Sequence, residues 1–169
     1  MICHFKKSLP FLLLFSIIAL IFSQCGNYSF KGSLAPHLKT VAIPMFDDQT
    51  AEFGVKEELT DEVIKRFIED NSLKITDRQN SDVLIEGRIS SIRDQAGGYD
   101  REETVQDVKV YVTVNVKCTD QSKRKVMWEG AVSQFETFEP NDTDSRREAI
   151  TKAIKLIADD ILNKTVSGW

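Results

Sequence analysis

Histidine and cysteine are almost missing from this chain, two and three residues in 169. Cys3, His4 and Cys25 all fall near the start, which leaves His37 and Cys118 as solitary residues further along. A thiol–imidazole nucleophile and a cysteine- or histidine-based metal centre are therefore excluded, and no glycine-rich phosphate loop is present. Carboxylates are plentiful, but the adjacent pairs Asp47-Asp48 and Glu102-Glu103 stand in polar stretches and read as solvated loop residues. No catalytic residue, metal site or cofactor is expected. A positive surplus is missing too: the net charge is −4, which is no footprint for nucleic acid. Only one long apolar run exists, Leu9 to Phe22, and it falls short of the roughly 20 residues of a membrane span.

That run has the context of a secretory signal, with Lys6 and Lys7 before it and small or polar residues after it. Gly26, Asn27, Tyr28 and Ser29 then favour a turn, and no positive stop-transfer flank follows. Residues 1–24 are read as a signal peptide. Phe22-Ser23-Gln24-Cys25 resembles a bacterial lipobox, with Phe22 in place of the commonest leucine and Gln24 in place of glycine or alanine. Cys25 is the expected lipidation site; an ordinary signal peptide with an incidental cysteine is the alternative. Two or three acyl chains anchor stably, since each buried methylene contributes about 0.8 kcal/mol and one chain is marginal. Acylation of Cys25 leaves Cys118 without a disulfide partner. Cleavage removes Lys6 and Lys7, so 20 basic residues face 26 acidic ones, a net of −6.

Residues 25–38 lack a period and carry Gly26, Gly32 and Pro36, so they read as a lipidated tether ahead of a single domain at 39–169. Thr40 to Pro44 is a short strand closed by a proline, and Phe46 to Thr50 a loop. Val55, Leu59, Val63, Ile64, Phe67 and Ile68 repeat at spacings of three and four, which predicts a helix from about Phe53 to Asp70, ended by Asn71-Ser72. Leu73 to Thr76 reads as a short strand or strand start. Val83 to Ile92 is a strand with Val83, Ile85, Gly87 and Ile89 on one face, and Gln95 to Glu103 a long connection.

The clearest period is Val108, Val110, Val112, Val114, Val116 and Cys118 alternating with Lys109, Tyr111, Thr113, Asn115 and Lys117. Strict alternation means one buried and one polar face, hence an antiparallel or mixed sheet. Cys118 ends the buried row as a small apolar residue. Asp120 to Lys123 is a turn, and Lys125 to Phe135 returns with Val126, Trp128, Gly130 and Val132 together. Ser145 and Glu148 have capping-box spacing, with Asp142 or Thr143 as other caps, before a helix carrying Ile150, Ala153, Ile154, Ile157, Ala158, Ile161 and Leu162. The expected fold is α+β: two helices on one face of a four-stranded mixed sheet, order βαβββα, with the other face open to water or a partner.

Lys123-Arg124-Lys125, with Lys117 across the hairpin, is the one concentrated positive patch and could hold phosphate or carboxylate groups; a charged tip that keeps an edge soluble is the alternative.

Cys25-Gly26 with Tyr28-Ser29-Phe30, Lys39 to Pro44 with Phe46 and Thr50, Glu58-Leu59-Thr60, Ser81 to Gly87, Val126 to Gly130, Glu148-Ala149-Ile150 and Val166 to Trp169 together resemble the lipopolysaccharide-assembly lipoprotein family, LptE-like. The resemblance implies an outer-membrane lipoprotein on the periplasmic face, a plug in a large β-barrel that inserts lipopolysaccharide into the outer leaflet. Its partners are then that barrel, lipopolysaccharide and, through the anchor, the membrane. Lys123, Arg124, Lys125 and Lys117 become candidates for lipopolysaccharide phosphates. A lipoprotein activator of a cell-wall synthase, a secretion-channel component, a soluble periplasmic binding module and an enzyme stay open.

Overall fold

In the computed structural model the described residues are 34–99, 105–140 and 142–167. Residues 1–24 and Cys25, read above as leader and lipidation site, lie outside them, as does most of the expected tether.

The elements are β1 (Thr40–Ala42), β2 (Asp47–Asp48), α1 (Val55–Asp70), β3 (Lys74–Ile75), β4 (Val83–Tyr99), β5 (Val105–Asp120), β6 (Lys125–Phe138) and α2 (Thr143–Val166). They form an α+β domain with two helices and a mixed sheet. The expectation of four strands in the order βαβββα is corrected to six in the order ββαββββα, arranged across the sheet as β3-β1-β4-β5-β6 with β2 also paired to β4. The two extra strands have two residues each. β2 arises inside the expected Phe46–Thr50 loop because Asp47 and Asp48 pair in parallel with Arg88 and Ile89, and β3 because Lys74 and Ile75 pair with Thr40 and Val41. Neither is long enough to show a period.

β4, β5 and β6 make an antiparallel meander whose strands run 17, 16 and 14 residues. β4 passes through Gln95–Tyr99, expected as the start of a connection, because β5 continues to offer partners down to Val105 across bulges at Ala96–Tyr99. The alternation of β5 holds: Val110, Val112, Val114, Val116 and Cys118 are buried, facing both helices in one core. On β6 the expected row is interrupted. Cys118 opposes Trp128 but Thr119 opposes Val126, so a bulge at Met127 turns Val126 to the open face, 40 % exposed.

α1 buries Val55, Leu59, Val63 and Phe67 but leaves Ile68 out, and Phe53 precedes the helix, 97 % exposed. The Asn71 cap adopts φ 57°, and its N–H donates to the Phe67 carbonyl. α2 starts at Asp142, the alternative to the capping box: its carboxylate accepts from the N–H groups of Asp144 and Ser145. Between β1 and β2 the Phe46 ring lies on the backbone of Gly87, where a Cβ would stand 2.3 Å from Cε1. The Phe46 N–H donates to Thr60 Oγ1 on α1, so this ring joins helix and sheet.

Candidate functional site

The register sets a row of residues across one end of the sheet: Ile75, Val41, Val83, Asp120 and Lys125. Beyond it projects the turn 121–124 between β5 and β6, carrying Lys123 and Arg124, both exposed, the latter at φ 52°. Its base is held firmly. Asp120 is 5 % exposed; its Oδ2 lies 2.8 Å from His37 Nε2, and its Oδ1 accepts from the Lys123 N–H at 2.9 Å. Burial pushes the Asp120 carboxyl up, but the His37 and Lys123 contacts outweigh it and leave the group below its usual range. The Gln121 amide donates to the carbonyls of Arg78 and Ser81 and to the Ser81 hydroxyl.

His37, which stood alone in the sequence, thus ties the segment ahead of β1 to the hairpin. Leu38 beside it is buried, and Leu34 and Ala35 pack on the core. One oxygen of Asp82 accepts from the N–H groups of Lys39 and Thr40 and from the Thr40 hydroxyl. These donors, the Lys39 N–H first, hold its carboxyl below the usual range.

The four cations proposed from the sequence are not all brought together. Lys123, Arg124 and Lys125 share the hairpin tip. Lys117 lies on the open face opposite Glu129, whereas Lys125 opposes Asp120, whose side belongs to the helices. The fold adds neighbours no spacing could reveal: Lys74 and Lys39 at the same end, and Lys164 near the end of α2, its Nζ 5.7 Å from the Trp128 ring centre. Among the described residues none of these cations enters an ion pair with a carboxylate.

The open sheet face is the second candidate surface. Tyr111 and Phe135 stack at 5.2 Å, Lys109 Nζ lies 5.0 Å over the Phe135 ring, and the hydroxyls of Thr113 and Ser133 meet at 3.0 Å. Arg88, Asn115, Lys117 and Glu129 continue it towards the tip, around a shallow open depression. Its chemistry is polar with isolated apolar patches, suited to a wet or polar partner surface.

Among the described residues nothing is arranged for catalysis. Asp48 is occupied by the Thr50 N–H and hydroxyl. Cys118 is buried, which pushes its thiol up to about 12. Among the described residues no group of three His, Cys, Asp or Glu could hold a metal, and no helix is long and apolar enough to cross a membrane.

A family model described as lipopolysaccharide-assembly matches residues 38–165. No match was found among curated proteins. Among solved structures, protein XCC0632 from Xanthomonas campestris is similar at TM-score 0.60 and 12 % identity, covering 79 % of this chain and 90 % of that one. The hypothetical protein CT253 from Chlamydia trachomatis is similar at 0.54 and 8 %, covering 76 % and 98 %. A leucine-to-methionine variant of the PelC dodecamer from Paraburkholderia phytofirmans is similar at 0.54 and 13 %, covering 80 % and 94 %. At these identities the structural likeness shows the fold alone.

Proposed function

Because the chain belongs to the lipopolysaccharide-assembly family LptE, we propose that it is a non-catalytic outer-membrane lipoprotein, acylated at Cys25 and held on the periplasmic face, that plugs a large β-barrel inserting lipopolysaccharide into the outer leaflet. The observation that carries the plug reading is the one-sided sheet. Both helices cover one face, while the other stays polar across three long strands, and a barrel lumen is lined with polar side chains. On this reading the open face meets the barrel wall. Lys123, Arg124 and Lys125 hold lipopolysaccharide phosphates at the tip, and Lys117 serves separately from the open face.

The test is purification from membranes in mild detergent with a tag after Trp169, followed by mass spectrometry of Cys25 and of any stoichiometric partner. Triacylated Cys25 with one large outer-membrane barrel is the expected result. An unmodified cysteine, or a peptidoglycan synthase as partner, overturns the proposal. For the lipid site, changing Lys123, Arg124 and Lys125 to alanine weakens capture by lipopolysaccharide while the domain stays folded; unchanged capture removes those residues from the site.

A further inference from the structure

Three observations meet at the tip end of the sheet. The segment preceding β1 is fastened there, through Leu38, through His37 on Asp120 and through Asp82 on the Lys39 and Thr40 N–H groups. Asp82 and Asp120 are turned inward onto these donors, Asp77 at the same end is held by the Asn80 amide and Glu86 by Arg78, while Lys74, Lys123, Arg124 and Lys125 point out, without carboxylate partners among the described residues. Exposed apolar side chains stand among them: Ile68 near the end of α1, Ile75 in β3 and Val126 at the start of β6.

We infer that the hairpin tip rests on the phosphate headgroups of the membrane leaflet that holds the acyl anchor. This rests on the reading of Cys25 as that anchor, and it adds to the lipopolysaccharide proposed above a second source of phosphates for the tip: the phospholipids of that leaflet. Leu34 lies nine positions after Cys25, a reach of at most ~30 Å when fully extended. The opposite end of the domain lies a further 16 residues of β5 away, roughly 50 Å along the strand. A tether of that length keeps the tip end near the bilayer and leaves the far end beyond its reach. Three adjacent cations with apolar side chains nearby are what an anionic interface takes up, by charge attraction and shallow apolar insertion. The overall negative charge of the domain opposes adsorption in any other orientation, so the patch also sets how the domain stands on the membrane.

The experiment uses residues 25–169 with Cys25→Ser, so that no acyl chain contributes; among the described residues the buried core lies within Leu38–Ile161, which this chain retains. Its flotation is measured with phosphatidylcholine vesicles, with and without phosphatidylglycerol, and separately with lipopolysaccharide. Three variants are compared: the parent, K123A/R124A/K125A, and K56A/K65A/K152A, which removes the same charge from lysines already facing carboxylates. The parent is expected to bind only vesicles containing phosphatidylglycerol, and less so as salt is raised. The tip variant loses roughly 10- to 100-fold in partitioning, given the contribution of each cation near an anionic surface; the control variant keeps most of it. Equal loss in both variants, or no binding by the parent, overturns the inference. Binding to lipopolysaccharide alone overturns it while leaving the lipopolysaccharide role of the tip standing, and binding to neither sinks both.

Discussion

The two ends of the sheet use charge in opposite ways. At the far end Arg146 reaches Glu52 at 2.7 Å and Asp94 at 2.8 Å, and Arg147 reaches Glu58 at 2.7 Å and the Phe53 carbonyl. These contacts clamp the start of α2 to β4, to α1 and to the segment before it. Glu52, then Asp94, raise the Arg146 guanidinium above its ordinary value. At the tip end Asp82 and Asp120 do the clamping and, apart from Arg78 paired with Glu86, the cations stay outside. Similar residues thus give a structural end, closed on itself, and an end with charge to offer.

That contrast can be broken at several points. The largest effect is expected at the tip end, from Trp128→Ala. Trp128 is 6 % exposed, its Nε1–H donates to Thr165 Oγ1 at 3.3 Å, and Lys164 lies over its ring. Truncation costs about 3–5 kcal/mol in urea unfolding. Gly87→Ala follows, at about 1–3 kcal/mol, because the new methyl displaces the Phe46 ring that joins α1 to the sheet; a neutral result would show that the ring has room to move. Arg146→Ala at the far end costs about 1–2 kcal/mol, through two charged hydrogen bonds on a side chain 26 % exposed. Lys123→Ala at the tip changes stability by no more than about 0.5 kcal/mol. Equal losses at Arg146 and Lys123 would erase the distinction between the ends.

The smallest effect is a pH dependence confined to the tip end. Asp82 and Asp120 both titrate below the usual carboxylate range in the folded chain. The stability they lend is complete above the unfolded value and is lost as the pH falls through the lowered folded value. Protection factors of the Lys39, Thr40 and Lys123 amides, taken against the intrinsic exchange rate at each pH, should therefore fall on acidification, while amides in the middle of α2 keep theirs. A uniform fall in protection along the chain would mean global loosening instead.

Where a local pattern was long, it was legible. The six-residue alternation ending at Cys118 told which face of β5 is buried, and the repeats in α1 and α2 told which stripes meet it. β3 falls inside the short strand expected at Leu73 to Thr76, whereas β2 was not legible, since two residues carry no period and owe their strand form to partners on β4. Val126 was placed on the wrong face because the bulge at Met127 depends on how β6 lies against β5. The candidate site divides similarly. The run Lys123-Arg124-Lys125 was plain to see, whereas its separation from Lys117 and its nearness to Lys39, Lys74 and the segment before β1 were not.

The sequence by itself determined the α+β class, the buried faces, the hairpin and its positive tip, because each rests on residues within one or two turns or strands of one another. Only the tertiary structure decided the strand order, the short parallel β2 and the fastening of His37 to Asp120, because these depend on partners 34 to 83 residues apart. The sidedness of the domain's charge belongs to the second group: each acid was visible in the chain, but the donor it would face was not.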